Sequence, residues 1–220
     1  MTECNSNQFI KRLITAVLLI SALIASCLYL SATLMFLIIQ IVGLLAALEI
    51  RQLPLKGNNA ELLKIAAAAY IITGLLALSA LYQQTHTRIV AYGIIASATL
   101  FDSAAYFVGS LIGTTKLAPH ISPKKSLEGF IAGFIAIIML FLAARSYKLL
   151  FFNNSLLNLI FIAGVTSCIA TAGDLAESWL KRKAGVKDSG TLLPGHGGVL
   201  DRIDSVLALS IAAYLFKSYF

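Results

Sequence analysis

Of the 220 residues, 59% are hydrophobic and only 12% are charged, and the mean hydropathy is +0.86. Soluble domains carry roughly 45–50% apolar and about 25% charged residues, so the composition excludes an ordinary soluble domain and points to transmembrane helices. The formal net charge of +7 raises nucleic acid as a partner, but the distribution of that charge assigns it to membrane topology instead.

Crossing a bilayer as a helix takes about 20 apolar residues, and backbone groups in lipid must be satisfied within the segment. Seven stretches qualify, at about 13–30, 34–50, 65–82, 88–111, 127–144, 157–175 and 203–219. Lys11 and Arg12 precede the first as they would in a signal peptide, but the apolar run continues to Ile50. A signal core has roughly 7–15 residues, so the run reads as two spans joined by a tight hairpin at Ser31-Ala32-Thr33. Cys4, Cys27 and Cys168 are scattered, without zinc or disulfide spacing. No internal repeat is visible. The expected architecture is an all-α, polytopic bundle of about seven spans forming one membrane domain. It comprises N-terminal helices over 1–85 and a second region over 86–220 that carries the polar motifs.

With seven spans, thirteen of the seventeen basic residues share one side. These are Lys11, Arg12, Arg51, Lys56, Lys64, Lys116, Lys124, Lys125, Lys181, Arg182, Lys183, Lys187 and Arg202; Arg88, Arg145, Lys148 and Lys217 face the other. The positive-inside rule makes the richer side cytoplasmic and puts the N-terminus there, in a multi-pass protein of the cell (inner) membrane. Such loops also attract anionic lipid headgroups. The loops expected over 112–126 and 176–202 hold three of the four prolines and two of the three histidines of the chain.

Six carboxylates sit inside or at the rim of spans: Glu49, Asp102, Asp174, Glu177, Asp201 and Asp204. Asp102 lies well within the apolar run from Ile89 to Ile112, where a carboxylate is expensive and usually serves function or helix pairing. The loop expected over 112–126 carries Ser122-Pro123-Lys124-Lys125. Ser126, two residues before Glu128, can start the next helix, and the two lysines ahead of it sit near the positive end of that helix, where they gather anions or anchor lipid headgroups.

The C-terminal third is the most informative. It reads Gly173-Asp174, Glu177-Ser178, Lys181-Arg182, Lys187-Asp188 and Pro194-Gly195-His196-Gly197-Gly198, then Asp201-Arg202-Ile203-Asp204. Asp201 and Asp204 are three apart and share a helix face. With Asp174 from another helix they can hold a hard cation such as Mg²⁺ through oxygen. The glycine-rich stretch before them lets backbone N–H groups approach a ligand and leads into a helix N-terminus, which favours phosphate. Lys181, Arg182, Lys187 and Arg202 add anion-binding charge. His196 is open between a proton carrier, a phosphate contact and a loop-stabilising imidazole. Phosphate-binding elements beside metal-binding carboxylates at a membrane surface point to phosphoryl or nucleotidyl transfer on a lipid.

The run from Ser178 to Asp204 resembles the signature of the phosphatidate cytidylyltransferase (CDP-diglyceride synthase) family: Ser, Leu-Lys-Arg, Lys-Asp, Leu-Pro-x-His-Gly-Gly and Asp-Arg-x-Asp. Upstream, Asp102, Ala105, Tyr106, Gly109 and Gly113 are similar to its Asp-x-x-Ala-Tyr-x-x-Gly element. Ser122-Pro123-Lys124-Lys125 with Glu128-Gly129 are similar to its Ser-Pro-Lys-Lys-Thr-x-Glu-Gly element. The resemblance covers about residue 88 onward. Ser126 stands where the family usually has Thr, which keeps the hydroxyl. Thr114 stands where a basic residue is common, which removes one phosphate contact.

The resemblance implies a reaction, CTP plus phosphatidate giving CDP-diacylglycerol and pyrophosphate, with membrane lipids as surroundings and no nucleic acid. It implies Asp174, Asp201 and Asp204 as ligands of catalytic Mg²⁺, with a second cation compatible with two-metal logic. Lys187 joins these three in the catalytic set and, with Lys124, Lys125, Lys181 and Arg182, binds substrate phosphates. Ser178 and the loop of Gly195, His196, Gly197 and Gly198 shape the nucleotide pocket, and Asp102, Tyr106, Ser122 and Arg202 complete the substrate site. A homodimer is compatible with the family, although no interface is legible. A CTP-dependent lipid kinase would use similar machinery. An ion-coupled transporter with Asp102 as its coupling site would place its residues near the midplane, often in inverted repeats; here the carboxylates gather toward one rim.

Overall fold

The computed structural model describes residues 30–147, 155–190, 192 and 197–219. They form helices α1 (Ala32–Gln52), α2 (Ala60–Gln83) and α3 (Arg88–Ile112), then strands β1 (Lys116–Ala118) and β2 (Ser122–Ser126). Helices α4 (Leu127–Ser146), α5 (Leu156–Lys183) and α6 (Leu200–Leu215) follow, with a 3-10 turn at Lys217–Tyr219.

Five helices, α1 to α5, are long and apolar enough to cross a membrane. They turn large apolar side chains outward, among them Ile41 and Leu44 on α1, Ile72 on α2 and Met139 on α4, as a lipid-facing surface requires. The all-α membrane bundle is therefore the architecture of the chain. The span expected at 13–30 lies outside the described residues except for its last position. The span expected at 203–219 is the shorter α6, whose 16 residues extend only about 24 Å, against a hydrocarbon core of about 30 Å.

Helix α6 is the centre of the bundle, with α5, α2 and α3 packed around it; α1 packs on α2, and α4 lies between α3 and α5. Its contact with α5 is close because position 173 is glycine. A Cβ there would lie 2.8 Å from Ala208 Cβ and 2.9 Å from the Asp204 carbonyl oxygen, so small-residue packing sets the helix separation at the level of the Asp residues. Serine caps fix three helix starts. Ser31 Oγ accepts from Leu34 N at 3.3 Å, Ser126 Oγ from Gly129 N at 3.2 Å and Ser155 Oγ from Asn158 N at 3.4 Å.

Two local elements differ from the sequence expectation. Helix α5 runs 28 residues to Lys183, so Glu177, Ser178, Lys181 and Arg182 are helical rather than part of a 176–202 loop. Charge alone reads as a loop, but Leu, Ala, Glu, Lys and Arg are good helix formers and Lys181, Arg182 and Lys183 complement the negative helix end. The helix stops at Gly185, which takes φ +71. The 112–126 connection is not a plain loop either. β1 and β2 pair antiparallel, Lys116 with Ser126 and Ala118 with Ser122, and Leu127 N donates to Thr115 O at 2.8 Å.

The connections that follow α1, α3 and α5 gather at one end of the bundle. Arg182 Nε donates to Ile121 O at 3.1 Å, Lys183 lines one pocket with Leu55 to Asn59, and Glu49 reaches the start of α6. These are three of the four regions that the count of basic residues assigns to one side; the fourth, with Lys11 and Arg12, lies outside the described residues.

Candidate active site

Asp174 and Glu177, three residues apart on α5, meet Asp204 of α6, and a carboxylate oxygen from each lies within 4.8 Å of the other two. Glu177 and Asp204 are each only 6% exposed. Like charges so close in a poorly solvated place repel strongly. Some donors answer them. Ser178 Oγ donates to Asp174 Oδ1 at 3.2 Å, Lys125 of β2 is ion-paired with Asp174, and Ser205 N donates to Asp204 Oδ1 at 2.7 Å. The answer is incomplete: Glu177 Oε1 is buried and accepts no hydrogen bond among the described residues. Asp102 of α3 joins the same field, acting electrostatically on Asp174 and Asp204, with Lys125 and Arg202 as the opposing cations. Three carboxylate oxygens gathered within 4.8 Å of one another are a donor set that could hold a hard divalent cation.

Asp201 belongs to a neighbouring network. Its Oδ1 takes Lys181 Nζ at 2.5 Å, and its Oδ2 accepts from Gly198 N at 2.8 Å and Ser189 N at 3.0 Å. Lys181 is 8% exposed and also pairs with Glu177, so one ammonium links the two carboxylate groups. The expected trio of Asp174, Asp201 and Asp204 is thus brought together in part. Asp174 and Asp204 meet, Glu177 stands third beside them, and Asp201 adjoins across Lys181. Gly197 takes φ +84, which favours glycine, and a Cβ there would lie 2.7 Å from Asp201 Oδ2.

The first amides of α6 do not await a phosphate. Gly198 N goes to Asp201, and Val199 N and Leu200 N donate to the Glu49 carboxylate of α1 at 2.8 and 2.9 Å. The helix N-terminus expected to receive phosphate already holds an anion of the chain itself.

The other expected residues surround this core. Lys124, Lys187 and Arg202 are exposed and Ser122 is half-buried. Arg182 uses Nε on Ile121 O and Nη1 on Val186 O, tying the hairpin to the end of α5. Tyr106, one turn beyond Asp102, is 68% exposed and faces outward. Gly195 and His196 lie outside the described residues. Thr114 Oγ1 donates to Glu128 Oε1 at 2.7 Å and Thr115 N to the same atom at 3.1 Å. The residue in place of a basic side chain therefore fastens the hairpin to α4. In the sequence Glu49 and Glu177 read only as rim carboxylates, and no motif marks Ser189 or Tyr70, whose hydroxyl donates to Asp204 O at 3.3 Å. A carboxylate late in an otherwise apolar span was the only signal for Glu49.

The profile of the cytidylyltransferase family matches residues 61–220. Among curated relatives, the phosphatidate cytidylyltransferase of Haemophilus influenzae is 48% identical over 121 residues, 54% of this chain and 41% of that protein. The phosphatidate cytidylyltransferase of Thermotoga maritima is 41% identical over 128 residues, 56% of this chain and 46% of its own length. That of Staphylococcus epidermidis is 48% identical over 108 residues, 49% and 41% of the two chains. The chain thus matches somewhat less than half the length of these relatives. A carboxylate cluster on two packed helices of the bundle, with lysine and arginine near it, lies within the matched segment: the chain belongs to the cytidylyltransferase family.

Proposed function

We propose that the chain transfers a cytidylyl group from CTP to phosphatidate, giving CDP-diacylglycerol and pyrophosphate at the cytoplasmic face of the cell membrane. The observation that carries this reading is the meeting of Asp174, Glu177 and Asp204 beside Lys125 and Lys181 at one end of a membrane bundle. An oxygen of the lipid phosphate attacks the α-phosphorus of CTP, the bond from that phosphorus to the bridging oxygen of the β-phosphate breaks, and pyrophosphate leaves. The lipid supplies the nucleophile, so no side-chain nucleophile is required. The task left to the protein is to collect phosphates and neutralise charge.

Asp174 and Asp204, with Glu177 beside them, are the residues that would hold Mg²⁺, with Asp201 adjoining them across Lys181. Bound there, the ion supplies charge neutralisation to phosphate oxygens. Lys124, Lys187 and Arg202, exposed at the same end, are the side chains placed to collect the triphosphate and the lipid headgroup. Ser178 orients Asp174 through its hydrogen bond. A site at the end of the bundle that carries most of the basic residues fits CTP arriving from the cytoplasm and phosphatidate arriving from the leaflet, with the N-terminus on that same side.

The test uses the purified protein in detergent with Mg²⁺, with phosphatidate or a polyprenol-type lipid alcohol as acceptor, and with CTP labelled either at the α- or at the γ-phosphorus. Label from the α-position in the lipid fraction, with release of γ-labelled pyrophosphate, is the expected result. Label from the γ-position in a lipid alcohol would establish a CTP-dependent kinase in its place.

A further inference from the structure

Val199, the residue at the start of α6, has no side-chain acceptor with which to cap its own helix. Such a start normally costs stability, since Ser, Thr, Asp or Asn is strongly preferred there. The acceptor comes instead from α1. Glu49 is 6% exposed, and its two oxygens accept three hydrogen bonds, from Val199 N at 2.8 Å, Leu200 N at 2.9 Å and Ser189 Oγ at 2.9 Å. Ser189 lies soon after the end of α5, and Val199 and Leu200 lie at the start of α6. The glycines at 190 and 198 leave room for it: a Cβ at 190 would lie 2.6 Å from Glu49 Oε1, and one at 198 would lie 2.5 Å from Glu49 Oε2.

We infer that Glu49 is a positioning residue for the transfer proposed above, closing the connection on itself and fixing where α6 begins. The inference rests on that reading for its catalytic meaning and on these contacts for its geometry. Asp201 is the second residue of α6 and Asp204 the fifth. A slip at the helix start therefore moves both carboxylates relative to Asp174 and Glu177 on α5. Glu49 touches neither the cluster nor Lys181, so it acts through the backbone of α6. It also lies outside the matched segment of 61–220, which makes α1 part of the working site as well as of the membrane bundle.

The experiment compares wild-type protein, Glu49→Gln and Glu49→Ala, each as the full chain in detergent. Amide exchange is read at Val199 and Leu200, and kcat and KM for CTP are read alongside. Glutamine keeps the shape but turns an NH₂ toward a backbone donor. It is expected to speed exchange of the two amides roughly tenfold and to lower kcat roughly tenfold, with KM for CTP within about twofold of wild type. Exchange within α4 should stay unchanged, which separates loss of position from loss of fold; should the alanine variant unfold, the glutamine variant still decides. Unchanged exchange at both amides, or wild-type kcat per folded molecule, would overturn the inference. The exchange arm needs no turnover. A wild type that makes no CDP-lipid therefore refutes the functional reading, whereas a productive wild type with an indifferent Glu49→Gln refutes the positioning role alone.

Discussion

Two groups of buried carboxylate sit at the same end of the bundle and are treated in opposite ways. Glu49 has three donors on its two oxygens. Asp174, Glu177 and Asp204 crowd together, and among the described residues no donor reaches Glu177 Oε1. A saturated carboxylate is held in place by the fold and in turn holds the fold. An under-satisfied cluster stores unfavourable energy that a bound cation and its substrate can relieve. On the proposed reading the first group builds the site and the second acts in it, and substitutions should show the two signatures apart.

The largest effect is expected from Asp204→Asn. Removing that charge should lower formation of the CDP-lipid by about 10²–10³-fold, the usual scale for losing one electrostatic contact to a transition state. Thermal unfolding in detergent should stay level or rise, because one of three crowded like charges is gone. A parallel loss of stability and activity would merge the two groups and break the comparison. Next is Lys181→Met, which leaves Glu177 and Asp201 without their shared ammonium. Breaking a buried ion pair from one side costs about 3 kcal/mol or more, read by graded SDS unfolding. Stability within the range of surface substitutions would show that the carboxylates do not need this partner. Smaller still is Ser126→Ala at the start of α4, which loses the cap on Gly129 N at about 1 kcal/mol. CDP-lipid formation should change less than severalfold, and a severe loss would move Ser126 from the building group into the acting one.

Much of this was legible in the chain. Hydropathy alone places α1 to α5 to within a few residues at most boundaries, because lipid imposes length and apolarity together. α5 is the exception. Its last two turns are charged, and a helix that leaves the membrane keeps its hydrogen bonds but not its apolar pattern. Asp102, Asp174 and Asp204 stand out in the sequence because charge is expensive at membrane depth, and the structure brings them into one electrostatic field. Ser126 is readable as a cap from its place before Glu128 and Gly129. Glu49 was not readable as part of the site. Its partners Val199 and Leu200 are 150 and 151 residues away, and no local pattern records a capping residue supplied by another helix. The division of duty between Asp201 and Glu177 was hidden for a related reason. Spacing can place Glu177 and Lys181 on one face of α5, but only the packing of α5 on α6 brings Asp201 to the same ammonium.

The central claim is that the crowded carboxylates, and not the saturated one, bind the divalent cation, and titration with Mn²⁺ followed by electron paramagnetic resonance tests it most directly. The account predicts a protein-bound site in the wild type that persists in Glu49→Gln and disappears in Asp204→Asn. Equal Mn²⁺ binding by Asp204→Asn and the wild type would contradict it.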